Sequence, residues 1–240
     1  VDAPHWIVTD LDETLLRNDS TVSPYTLATL DRIRSTGCKF AIATTRDKHF
    51  AASYIDLLQP DALVVSGGAV GLRGEKLVHY RTMDGHRLNE LLGELDILPA
   101  KRPTVVDSAL GRYGDKRPVP RPFTHLAHQV IIWLNETLPQ AFINRWKDSF
   151  HITTLWIPGL YRIAAYEATK LAALKTVLHG VDPRTVYTFG DDPMDAGMLA
   201  YFQGVAVANA RAEARDAARY RALSNEEDGV AHWINEKFLL

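Results

Sequence analysis

Trp6-Ile7-Val8-Thr9-Asp10-Leu11-Asp12-Glu13-Thr14-Leu15-Leu16 decides how the rest of the chain is read. An apolar run ends on two carboxylates two residues apart. On extended backbone, residues at that spacing point the same way. Side by side and without a counter-charge, two carboxylates repel each other and resist ionisation. A hard divalent cation such as magnesium, which favours oxygen ligands, removes the difficulty. A carboxylate beside such a cation can attack phosphorus. Taken alone, the same stretch also fits an acidic strand-to-turn segment.

The flanking sequence places this stretch in a repeating pattern. Residues 5–9 read as a strand. Ser23-Pro24 opens a helix, with Ser23 as N-cap and Pro24 in its first turn. Leu27, Leu30 and Ile33 form the apolar stripe of that helix, and Gly37 suits its end. Residues 40–43 and 62–65 are short apolar runs, with a helix expected over 47–57 between them. Uninterrupted apolar strands alternating with helices predict a parallel sheet covered on both faces. Ligands then gather beyond the carboxyl ends of the strands. That rule puts Asp10, Asp12, Thr44 and Gly67 on one rim.

Residues 84–162 change character and read as an inserted α+β domain. Leu88, Leu91, Leu92 and Leu95 give an amphipathic helix. Short strands follow at 104–106 and 130–133, separated by a surface loop over 111–122. A helix over 139–150 precedes a hairpin, 151–157 with 160–166, turning at Pro158-Gly159. The α/β alternation then resumes, with a helix over 169–179 and a strand over 185–189. The latter stops at Gly190-Asp191-Asp192-Pro193-Met194-Asp195. A further strand is expected at 204–208, and helices at 193–201, 212–218 and 229–238. The expected division is a core of residues 1–83 and 163–240 and an insert of 84–162.

Composition narrows the function classes. The chain has 240 residues, 46% of them hydrophobic, enough for a sizeable core in one or two domains. A formal net charge of -2 and the lack of a long basic block give no case for nucleic acid. No apolar run is long enough to span a bilayer. Cys38 is the only cysteine, so no intrachain disulfide can form, and it reads as a small packing residue. The expected setting is the reducing cytoplasm. No His or Cys cluster has metal-site spacing. Trp6, Trp133, Trp146 and Trp156 lie on predicted strands or helices and read as core.

Four features coincide at strand ends or just beyond them: Asp10-x-Asp12-x-Thr14, Thr44 in Ala43-Thr44-Thr45-Arg46, Lys170 opening a helix, and Gly190-Asp191-x-x-x-Asp195. In that order they resemble the haloacid dehalogenase (HAD) superfamily of phosphotransferases. The place of the insert, between the third strand and Lys170, resembles the type-IIB cap subgroup. Residues 205–210 and 228–231 resemble that subgroup's C-terminal end. The resemblance implies a Rossmann-like α/β core with an inserted α+β cap. It implies that Asp10 is the nucleophile and Asp12 the general acid and base. Thr44 and Lys170 would hold phosphoryl oxygens. Asp10, the Asp12 carbonyl, Asp191 and Asp195 would hold Mg2+. Thr45, Arg46, Ser66, Gly67, Arg112 and Asn209 are candidate substrate contacts. Asp192 reads as a helix cap, with a metal-bound water as its other possible partner.

The chain departs from the family pattern at three places. Thr45 stands where Gly is common, Gly67 where Cof-type members carry Asn, and Met194 where Asn precedes the second acid. The implied function is magnesium-dependent hydrolysis of a small phosphorylated metabolite, a sugar phosphate first, through an aspartyl-phosphate. The alternatives are a phosphomutase of the phosphomannomutase kind and a non-catalytic phosphometabolite-binding protein.

Overall fold

The computed structural model describes residues 5–155 and 157–240. The chain divides into two compact units, Val1–His79 with Thr169–Leu240, and Tyr80–Ala168. In chain order the first begins with β1 (Trp6–Thr9), α1 (Pro24–Ser35), β2 (Lys39–Ala43), α2 (Ala52–Leu58), β3 (Ala62–Val65), β4 (Val70–Arg73) and β5 (Lys76–Tyr80). The second holds α3 (Gly85–Leu95), β6 (Val105–Ser108), β7 (Gly111–Tyr113), β8 (Ala127–Trp133), α4 (Gln140–Trp146), β9 (Phe150–Thr154) and β10 (Leu160–Ala165). The first resumes with α5 (Lys170–Val177), β11 (Val186–Gly190), α6 (Ala196–Tyr201), β12 (Gln203–Ala206), α7 (Ala212–Ala217), β13 (Tyr220–Arg221) and α8 (Gly229–Ile234).

The first unit is built on a sheet in the order β13-β12-β11-β1-β2-β3-β4-β5. Its pairings from β13 through to β3 are parallel, while β4 runs antiparallel to β3. Consecutive β1 residues face opposite sides, so Ile7 enters one apolar cluster while Trp6 and Val8 enter another. The first cluster takes Leu30 and Ile33 from α1, Leu58 from α2 and Ile234 from α8. The second takes Ala173, Leu174 and Val177 from α5 and Met198 from α6. Both faces are therefore covered, which is why the strands can be apolar throughout. Ser23 caps α1 as expected, accepting the Thr26 amide at 3.0 Å. Cys38 is buried, and burial pushes its thiol up to about 12, the behaviour of a packing residue.

The second unit is a sheet in the order β7-β6-β8-β10-β9, antiparallel throughout. Leu88, Leu91, Leu92 and Leu95 of α3 and Trp146 of α4 pack against Val106, Val130, Ile132 and Ile163. No described helix is long and apolar enough to cross a membrane.

Local differences from expectation have local causes. The second helix begins at Ala52 rather than at 47, because Asp47 Oδ1 accepts the amides of His49 and Phe50 and holds a turn there. Residues 111–113 are not loop but β7, anchored by the buried Tyr113 ring against Phe123. The strand pair β4 and β5 and the short β13 were not expected. The hairpin is β9 with β10, while Trp156, expected in it and in the core, lies outside the described residues. Trp6 and Trp146 are buried and Trp133 is half-buried.

Candidate active site

Parallel pairing of β1 with β11 makes their carboxyl ends neighbours, and the Asp10 amide donates to the Phe189 carbonyl at 3.0 Å. Asp10 and Asp191, far apart in sequence, thus share one rim. After Asp10 the chain turns sharply, with Glu13 in the left-handed region at φ 54° and the Leu16 amide closing back on the Leu11 carbonyl. Within that turn the Thr14 hydroxyl donates to Asp191 Oδ1 at 2.6 Å. Thr44 lies just past β2 and is fully buried, with its hydroxyl accepting the Arg46 amide at 3.1 Å. The hydroxyl hydrogen remains available to an acceptor in the site.

Lys170 begins α5, whose N-cap Thr169 accepts the Ala172 amide. Its Nζ is 3.0 Å from Asp10 Oδ1 and 2.6 Å from Asp195 Oδ1, with no solvent exposure. Gly68, at φ 101°, lets the loop after β3 press on this helix start. A Cβ there would stand 2.1 Å from the Thr169 carbonyl and 2.5 Å from the Lys170 nitrogen. Asp195 is fixed on its other oxygen, which accepts the amides of Asp191 and Asp192, each at 3.1 Å. It also lies against Gly190, where a Cβ would come within 2.5 Å of the Asp195 Cβ.

The electrostatics are those of a crowded acidic centre. Burial pushes the Asp10 carboxyl well above its ordinary range; Lys170 opposes that, and Asp195, Asp191 and Asp12 add to it. Burial and then Asp195 raise Asp191 to about 7, against the opposing Thr14 hydrogen bond and Lys170. Burial alone would depress Lys170, but Asp10 and Asp195 outweigh it and hold the ammonium above its usual value. Carboxylate oxygens of Asp10, Asp191 and Asp195 lie within 4.8 Å of one another. Three buried carboxylates around one ammonium are short of positive charge. Hard oxygen donors at that spacing fit a divalent cation of the magnesium type.

The remaining candidates have varied surroundings. The Asp12 carboxylate stands outside the three-acid cluster and is gripped by the Arg46 fork, Nε to Oδ2 at 2.8 Å and Nη2 to Oδ1 at 2.6 Å. Arg46 in turn stacks over Tyr54. Thr45 is half-buried between Thr44 and Arg46. The Ser66 amide donates to the Arg46 carbonyl and the Gly67 amide to the Thr44 carbonyl, so the ends of β2 and β3 are tied together. Gly67 sits at φ 61°, in the left-handed region that favours glycine and that Asn also tolerates. Asp192 is an N-cap, accepting the Met194 amide at 3.0 Å, and pairs with Arg211. Asp195 is therefore oriented by two amides and Lys170, without help from the side chain at 194. Asn209 donates to the Glu13 carbonyl at 2.7 Å and accepts the Asn225 amide at 3.0 Å. Arg112 belongs to the second unit, where it forks onto Asp107 at 2.8 and 2.9 Å. Asp107 also accepts from Gln129, and Gln129 from the buried Arg162. Burial works against the Asp107 charge, yet Arg112 and Gln129 hold its carboxyl below the ordinary range. Sequence reasoning gave Thr14, Asn225 and Tyr54 no role at the site.

A family model described as haloacid dehalogenase-like hydrolase matches residues 7–101 and 121–234. The chain belongs to that family, and its core with a separate antiparallel cap sheet is the type-IIB architecture. It is similar to the 5-amino-6-(5-phospho-D-ribitylamino)uracil phosphatase YitU of Bacillus subtilis, 22% identical over 284 aligned positions covering 99% of this chain and 98% of that one. A haloacid dehalogenase-like hydrolase from Bacteroides thetaiotaomicron has the same fold, with TM-score 0.82 and 18% identity over 98% of this chain and all (100%) of that one. So does the HAD subclass IIB sugar phosphatase BT4131, with TM-score 0.83 and 18% identity over 98% and 99% of the two chains.

Proposed function

We propose that this protein is a magnesium-dependent phosphatase that hydrolyses a small phosphorylated metabolite through an aspartyl-phosphate on Asp10. The observation that carries the reading is the Lys170 ammonium, 3.0 Å from Asp10 and 2.6 Å from Asp195, inside a cluster with Asp191. A carboxylate nucleophile has to be ionised, yet burial resists that for Asp10. Lys170 supplies one compensating charge. Asp10, the Asp12 carbonyl, Asp191 and Asp195 would hold Mg2+, which offsets charge on nucleophile and phosphate.

In the first step an Asp10 carboxylate oxygen bonds to phosphorus and the ester P–O bond breaks. Asp12 gives a proton to the departing alcohol oxygen. Thr44, through its hydroxyl, and Lys170, through its ammonium, hold the phosphoryl oxygens as charge redistributes. In the second step Asp12 takes a proton from water, the water oxygen attacks phosphorus, and phosphate leaves as Asp10 is restored. Arg46 engages both Asp12 oxygens, so it has to free one of them for the proton that Asp12 gives and takes. Thr45, Ser66 and Gly67 frame the phosphate pocket.

The names of two relatives support a polyol phosphate as substrate. One is a sugar phosphatase and the other acts on a phosphoribitylamino compound. Both leaving groups are polyhydroxylated carbon chains. The test is phosphate release with Mg2+ from p-nitrophenyl phosphate, hexose phosphates and the phosphoribitylamino pyrimidine. Asp10→Asn is expected to abolish turnover, a loss of at least about 1000-fold. Unchanged turnover in that variant overturns the covalent mechanism. Isomerisation of a hexose 1-phosphate without phosphate release would point to a mutase.

A further inference from the structure

The turn that carries Asp12 and Thr14 is held from outside along most of its length. Asn209 Nδ2 donates to the Glu13 carbonyl at 2.7 Å, and Asn209 Oδ1 accepts the Asn225 amide at 3.0 Å. Asn225 Nδ2 donates to the Leu16 carbonyl and to Asn18 Oδ1, both at 3.0 Å. The Asn18 amide reaches Glu226 Oε1 at 2.6 Å, and Arg17 forks onto Asp228 at 3.2 and 2.6 Å. Every one of these anchors comes from residues 209–228, on the other arm of the first unit.

Glu13 needs such a hold. Its φ of 54° is left-handed, a region that non-glycine side chains disfavour. The residue before it presents Asp12, and the residue after it reaches Asp191. Were Glu13 to relax to ordinary backbone, both side chains would swing away from the rim. A carbonyl fixed by a short side-chain hydrogen bond resists that rotation directly. Both ends of the Asn209 amide are engaged in this way.

We infer that Asn209, seconded by Asn225, is a positioning residue that holds the left-handed Glu13 turn and so aims Asp12 and Thr14, rather than a group that contacts substrate. The inference rests on the phosphatase reading for its kinetic consequence, but not for the geometry. The amide donor is the essential atom. In Asn209→Asp an oxygen would face the Glu13 carbonyl and repel it, with little change in volume.

Asn209→Asp, which replaces an exposed residue, is the direct test. It is expected to lower kcat by about 10- to 100-fold with little change in KM. The factor should be the same for p-nitrophenyl phosphate and a hexose phosphate, because positioning does not depend on the leaving group. Hydrogen exchange of the magnesium-free protein should show the Leu16 amide exchanging faster in the variant, with the central strands unchanged. Adding Glu13→Gly should restore part of the lost rate, since glycine adopts positive φ without a Cβ clash. A KM rise that differs between substrates, with Leu16 protection intact, would overturn the inference in favour of a substrate contact. Unchanged kinetics and unchanged exchange would overturn it outright. If the wild type releases no phosphate from any ester, the phosphatase reading fails, while the exchange measurement still decides whether the hold exists.

Discussion

Thr14 reaches the acidic cluster without adding charge to it. Its hydroxyl donates to Asp191 Oδ1 at 2.6 Å, which favours the ionised form against burial. Ligands held by a neighbouring donor bind metal more tightly than loose ones. Thr14→Val keeps the buried shape and removes the donor. It is expected to raise the Mg2+ concentration for half-maximal activity by about 10-fold. Magnesium titrations of phosphate release check this, and an unchanged midpoint would show that the hydroxyl does not orient the ligand. Residues of this kind explain where reading the sequence stops. Asp10, Asp191 and Asp195 stand out as acids at the ends of apolar strands, whereas Lys170 is picked out only by the resemblance to the family. Thr14, Asn209 and Asn225 act through hydroxyl and amide hydrogen bonds. Such groups have many ordinary uses, and only the fold chooses the partner.

The start of α5 shows how an element delivers a side chain. Lys170 reaches two carboxylates because the loop after β3 presses against the Thr169 backbone, and Gly68 is what permits the approach. Gly68→Ala would force a Cβ onto that backbone at a residue already at φ 101°. It should cost more than about 1 kcal/mol of stability. By shifting Lys170 it should also slow turnover by about 100-fold at temperatures where the variant is folded. Urea melts and kcat report the two effects separately, and normal turnover in a destabilised variant would detach Gly68 from catalysis. At this scale the sequence was legible where apolar runs are continuous. β1, β2, β3 and β11 lie where their patterns place them, because strands buried on both faces leave no polar alternation to misread. β4 and β5 were missed because their residues mix exposed and buried positions around Gly74. β13 is a two-residue strand, too short to leave a pattern.

At the scale of the whole molecule, Asp10, Asp191 and Asp195 set three buried acids side by side, and that couples folding to pH. Asp191 has a folded-state value of about 7 against an ordinary 3.8, and Asp10 is displaced in the same direction. Below about pH 4 both folded and unfolded states hold the Asp191 proton. Between there and about pH 7 the folded state keeps a proton that the unfolded state gives up, so stability falls as pH rises through that window. Asp19, Asp107, Asp182 and Glu227 are shifted downwards, so their contribution is lost below that window, as pH falls through their lowered values. A divalent cation held by the three carboxylates would do the work of the missing proton by binding their ionised form. Without divalent cations, Tm is therefore expected to decline from about pH 4 to about pH 7 and to level off above it. Millimolar Mg2+ should raise Tm at the upper end of that range far more than at the lower end, by mass action on the folded state. Asp191→Asn, which has no proton to lose, should show a shallower decline. A wild-type Tm independent of pH, or an equal Mg2+ effect at both ends, would mean that the cluster is not ionised by the cation and that Asp191 is not one of its ligands.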